Sequence, residues 1–248
     1  MSAPAGRTFV LVHGSWHGGW CWSRLAPLLE RSGHRVLAPS LTGHGDRKHL
    51  LSPSVGLSTH IDDVVNLIEY EDLCDVVLVG HSYGGMVISG AASRVSARIG
   101  LLAYLDAHVP GHGDSMCSLI GSEVEARLKA RVDSEGFGWI LPPSSASFFG
   151  TTVDEGAEWI DRMGTPMPWK CYAEQAVISS SLDAIERKAY IRCTHHKRPY
   201  FDAAADRHRG VPGWQVRDLP AAHNVMITHP QLLAETLLEL AGKTAAQP

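Results

Sequence analysis

Asp75-Val76-Val77-Leu78-Val79-Gly80-His81-Ser82-Tyr83-Gly84-Gly85-Met86-Val87-Ile88-Ser89-Gly90 is the stretch that decides the fold. Its first five residues, Asp75 to Val79, are predicted as a strand, and the four after Asp75 form a short, mostly β-branched apolar run, the pattern of a strand buried on both faces. From Met86 to Val95 the small and apolar residues predict a helix. Between them lies Gly80-His81-Ser82-Tyr83-Gly84, a G-x-S-x-G turn. A turn this sharp lifts the Ser82 hydroxyl above the strand ends and crowds its neighbours, so small residues flank it. The following helix aims free N–H groups and the positive end of its dipole at any negative charge developing beside Ser82. The pentapeptide alone is weak evidence; the strand before it and the helix after it make it strong.

Working outward, the same alternation repeats. Strands are predicted at Thr8–Val12, 34–38, Ile99–Leu105, 189–194 and 215–219, with helices at 20–32, 58–70 and 230–241. Apolar strands separated by helices imply an α/β fold, a mostly parallel sheet of about six strands covered on both faces. Between Pro110 and about Arg187 no convincing strand appears. Helical stretches at 122–132, Ala157–Met163 and 169–179 fill it instead, punctuated by prolines. The expected division is a core of 1–109 and 188–248, with 110–187 inserted as a helical cap. Trp139, Phe148, Phe149, Trp159 and Trp169 make the insertion rich in aromatic rings. Of these, Trp139, Phe148, Trp159 and Trp169 are expected, with His17, to line an apolar substrate pocket.

A serine in such a turn needs a base from later in the chain, placed just past the last strand. His223 in Leu219-Pro220-Ala221-Ala222-His223-Asn224 occupies that place. The chain has 14 histidines, and His13, His17, His44 and His81 also fall near the expected site, as loop-shaping residues. His13-x-x-x-His17 lacks the helix and carboxylates of a metal motif. No metal and no cofactor are expected.

Composition limits the partners. A net charge of −4 and no basic blocks argue against nucleic acid, and the longest apolar runs are too short to span a membrane. Five scattered cysteines without a C-x-x-C pair read as reduced thiols, and with only a short polar leader before the first strand the expected location is cytoplasmic. The expected partner is a small ester-like molecule. Oligomeric state, a homodimer included, is left open.

Val12-His13-Gly14-Ser15-Trp16-His17-Gly18-Gly19-Trp20-Cys21-Trp22, Gly80-His81-Ser82-Tyr83-Gly84-Gly85 and Ala222-His223-Asn224 resemble the methylesterase/hydroxynitrile lyase family of the α/β-hydrolase superfamily. The chain is more similar still to small bacterial esterases related to that family, some of which cleave carbamates. The resemblance implies an α/β-hydrolase fold and a serine hydrolase, with an oxyanion hole from the Ser15 and Tyr83 backbone N–H groups. That agrees with the turn chemistry, which wants one donor after the nucleophile and one from the loop after the first strand. The lyases of the family carry Thr where this chain has Gly14 and Lys where it has Asn224. Without that cation, hydrolysis is favoured over cyanide elimination. Family members also carry an Asp where this chain has His196. The replacement expected is Asp106, at the end of strand Ile99–Leu105, with Asp202 in reserve. The expected activity is cleavage of a small, apolar or aromatic ester or carbamate through an acyl-enzyme at Ser82. Its alternatives are a cofactor-free lyase or oxygenase on the same fold, or a non-catalytic ligand-binding protein.

Overall fold

The computed structural model describes residues 6–152 and 154–242. The chain begins with β1 (Thr8–Val12), a 3-10 turn (Gly19–Trp22), α1 (Ala26–Arg31) and β2 (Arg35–Leu37). It continues through α2 (Leu57–Tyr70), β3 (Val76–His81), α3 (Gly84–Arg94) and β4 (Ile99–Leu105). Next come α4 (Met116–Ile120), α5 (Ser122–Glu135), β5 (Ile140–Leu141), α6 (Ala157–Met163), β6 (Met167–Pro168) and α7 (Lys170–Ala173). The final stretch is β7 (Lys188–Cys193), α8 (Pro199–His208), β8 (Trp214–Leu219), α9 (Val225–Thr228) and α10 (Pro230–Gly242).

Six strands form one sheet in the order β2-β1-β3-β4-β7-β8, every pairing parallel. Strand alternation sorts the core into two layers. Val10, Val12, Val76 and Leu78 face α2 and α3 on one side. Phe9, Leu11, Val77 and Val79 face α1 and α10 on the other. Both faces of β3 are therefore apolar over Val76–Val79, which explains why that stretch runs without polar interruption. No helix among the described residues is long and apolar enough to cross a membrane.

Three sequence expectations change. The helix expected over 20–32 is broken into a 3-10 turn and α1, because Pro27 lacks an N–H and suits only a helix start. In the segment expected to hold no strand, β5 and β6 pair antiparallel, Ile140 with Pro168 and Leu141 with Met167. The helix expected over 169–179 shrinks to four residues. Glu174 turns extended to bond Ser58, and the Ala176 backbone exchanges hydrogen bonds with Gly113 and Asp114 instead of continuing the helix.

Candidate active site

The carboxyl ends of β3, β4 and β8 meet beside one cavity of about 540 Å³ lined by Ser82 and His223. Ligands gather at this edge of open parallel sheets because the loops there diverge. Ser82 follows β3 with φ +56°, a left-handed conformation that strains a residue bearing a Cβ. The strain is held from three sides. Ser82 N–H donates to the Leu105 carbonyl, and the Ser82 carbonyl accepts from Gly85 and His108 N–H groups. A Cβ on Gly14 would stand 2.8 Å from the Ser82 Cβ, and one on Gly84 would stand 2.7 Å from the Val12 carbonyl oxygen. Only glycine lets the β1 loop approach the serine this closely.

Asp106 stands one residue past β4, also at positive φ (+42°) and fully buried. Its Oδ2 accepts from His223 Nδ1 at 2.6 Å. Its Oδ1 accepts from Arg192 Nη1 at 2.7 Å and from the Cys193 N–H at 3.1 Å. A carboxylate acceptor fixes the proton of neutral His223 on Nδ1 and leaves the Nε2 lone pair free. The backbone of His223 is held as well, its carbonyl accepting from His81 Nε2 at 3.0 Å. Phe149 and Phe201 stack against the imidazole, at ring separations of 5.2 and 5.3 Å.

These contacts set the protonation states. Burial pushes the Asp106 carboxyl upward, but His196 and His223 beside it, with the Arg192 charge, outweigh burial and hold it well below the usual carboxylate range. Burial lowers His223 to about 4 against the opposing pull of Asp106, so the ring is neutral at pH 7. His196 lies nearby, its Nδ1 3.5 Å from Asp106 Oδ2, and neither of its ring nitrogens makes a hydrogen bond among the described residues. Asp106, His196 and His223 thus bring potential metal-ligating atoms within 4.8 Å of one another. With Oδ1 taken by Arg192 and Cys193 and Oδ2 by His223, however, an added cation would meet a guanidinium already 2.7 Å from its carboxylate ligand. The donor set fits a hydrogen-bonded relay better than a metal site.

Neither the Ser15 nor the Tyr83 backbone N–H donates to an acceptor among the described residues, which leaves both for a negative oxygen beside Ser82. Their side chains are tied down. Ser15 Oγ pairs with the Tyr172 hydroxyl at 2.8 Å, and the Tyr83 hydroxyl pairs with His60 Nδ1 at 2.9 Å. His17 Nδ1–H donates to the Ser15 carbonyl at 2.7 Å and so supports that loop.

Of the residues expected in the pocket, His17 and Phe148 line the cavity and three tryptophans do not. Trp159 packs on Trp20 and under Arg24, Trp169 stacks on Tyr172, and the Trp139 carbonyl accepts from the Trp169 N–H. Their rings hold the inserted segment together. Trp16, Phe149, Tyr172, Tyr200 and Phe201 supply the rest of the aromatic lining. Sequence reasoning missed Arg192, which is 2% exposed and also binds Asp202. The available signal was a lone arginine inside the apolar run Tyr190-Ile191-Arg192-Cys193.

A family model described as "Alpha/beta hydrolase family" matches residues 9–236. A carbendazim hydrolyzing esterase from Nocardioides sp. (strain SG-4G) is 41% identical over 240 residues, covering 94% of this chain and 98% of that protein. Methylesterase 10 of Arabidopsis thaliana is 30% identical over 264 residues, covering 95% and 92%. Among solved structures, an extracellular alpha/beta-hydrolase from a Paenibacillus species superposes with a TM-score of 0.81 at 26% identity, covering 96% of this chain and 100% of that one. With a strained serine turn at the end of β3 and kinship along nearly its full length, the chain belongs to the alpha/beta hydrolase family.

Proposed function

We propose that this chain is a serine esterase, with Ser82 as nucleophile, His223 as general base and Asp106 as the carboxylate that orients it. One observation carries the reading: the strained Ser82 turn and the 2.6 Å His223–Asp106 hydrogen bond stand at one cavity. His223 Nε2 takes the Ser82 proton as the hydroxyl attacks the substrate carbonyl, and the Ser15 and Tyr83 N–H groups hold the oxyanion. The imidazolium then protonates the leaving alcohol or amine. Water activated by the same ring releases the acyl group and restores Ser82. The aromatic and aliphatic part of the lining, from Met116, Leu119, Phe148, Phe149 and Phe201 among others, suits a small ester with an aromatic or apolar body. A carbamate is included on kinship with the carbendazim hydrolyzing esterase. Residues 110–187, which supply Phe148, Phe149 and Tyr172, act as the cap over this cavity. Five cysteines that all stand free support a reducing, cytoplasmic setting.

A fluorophosphonate probe tests the nucleophile. Labelling of the wild type that disappears in Ser82→Ala is the expected result, and a folded wild type that takes no label would reject it. The pH profile tests the base. His223 works only when neutral, and burial holds its pKa at about 4. Hence kcat/KM keeps its plateau from neutral pH to well below 6.5 and declines only as pH falls through that lower value. An acid limb centred at or above 6.5 would show that burial does not depress His223 in the working enzyme, and a kcat/KM left unchanged by His223→Ala would contradict its role as base.

A further inference from the structure

Among the described residues, the cavity mouth carries two positive charges and no acidic side chain: Arg127 of α5 and Arg198, just before α8, both line it, and no Asp or Glu does. Their guanidiniums converge on one ring: Arg198 lies 4.4 Å and Arg127 5.9 Å from the centre of Phe148. Arg198 is fixed there, with Nη2 donating to the Phe148 carbonyl at 3.0 Å. Neither arginine pairs with a carboxylate among the described residues. Other acids nearby are turned elsewhere. Arg131, one turn along α5, pairs with Glu135 at 3.6 Å. Glu125 faces Cys117, whose thiol burial and this neighbour push up to about 12.

Two guanidiniums at 4.4 and 5.9 Å from one ring centre lie within about 10 Å of each other, so their positive potentials add in this part of the cavity. A bound anion would be drawn to that potential and gain charge-assisted hydrogen bonds, bidentate at a carboxylate. A mouth of one sign also concentrates substrates of the opposite sign. We propose that the Arg127–Arg198 pair is the binding site for a carboxylate carried by the substrate, so that the preferred ester has an apolar or aromatic body with an anionic end. This rests on the serine esterase reading, since it places the carboxylate at the mouth while the ester reaches Ser82. The half-buried Tyr200, also on the lining, offers a neutral hydroxyl to the same group.

The test compares two activated esters of one shape, mono-4-nitrophenyl terephthalate and the neutral 4-nitrophenyl 4-carbamoylbenzoate. In the wild type at low salt, kcat/KM for the anionic ester is expected to exceed that for the neutral one about tenfold, the size of one charge-assisted contact. The ratio falls towards one as salt rises and in the double variant Arg127→Gln, Arg198→Gln, whereas Arg127→Lys, Arg198→Lys keeps much of it. Equal rates for the two esters in the wild type would overturn the inference, as would a preference that survives the double glutamine variant. Turnover of the neutral ester without preference for the anion leaves the esterase reading standing and removes this one alone. Turnover of neither ester removes this inference, and it removes the esterase reading as well only if the fluorophosphonate also fails to label Ser82.

Discussion

Asp106→Asn is expected to leave a folded protein whose kcat on 4-nitrophenyl acetate falls by about four orders of magnitude, the loss known when a triad carboxylate becomes an amide. The geometry says why. His223 now donates Nδ1–H to Oδ2 at 2.6 Å, and the Cys193 N–H and Arg192 occupy Oδ1. An amide keeps its oxygen towards those two donors and turns its NH₂ to the imidazole. The ring must then accept at Nδ1 and carry its proton on Nε2, so it cannot take the Ser82 proton. KM should change little, because Asp106 touches no substrate. Unchanged near-UV circular dichroism would show the fold intact, and a near-wild-type kcat would move the role elsewhere. Few candidates remain: Asp202 is half-exposed and binds Arg192, and Asp218 points outward to Arg209.

The second large effect is on stability. Arg192→Met removes the cation from a fully buried carboxylate and strands the Cys193 and His196 carbonyls that the guanidinium also binds. Breaking a buried ion pair from one side costs about 3–5 kcal/mol, because the remaining charge loses its compensation without regaining water. Urea unfolding at pH 7 would read this as a lower midpoint. Combining Arg192→Met with Asp106→Asn should recover part of the loss, since no charge then stays buried. A double variant no more stable than Arg192→Met would show that shape, not charge, was responsible.

The legible parts of this fold were those written in local patterns. β3, the serine turn and α3 are contiguous, so one stretch shows all three. His223 was legible from its place after the last strand. Asp106 was reached less directly, because His196 stands where a family carboxylate would be and strand order puts the end of β4 next to the nucleophile. Arg192 was hidden because it lies 86 residues from Asp106, and only the β4–β7 pairing joins them. The aromatic rings of the inserted segment misled for the same reason. Composition counts them, but which ones face the cavity depends on pairings such as β5 with β6, whose strands are two residues each and leave no period to read.

Ser82 and Asp106 both sit at positive φ, and residues with a Cβ held there cost about 1–3 kcal/mol each. The protein is therefore less durable than its own backbone would permit, at the two positions where chemistry is proposed. Glycine at either would relax the chain while removing the proposed nucleophile or the carboxylate proposed to orient its base, and is expected to silence the enzyme. A campaign for heat-tolerant versions that scored melting temperature alone would drift towards inactive sequences, so any such selection must demand turnover alongside survival.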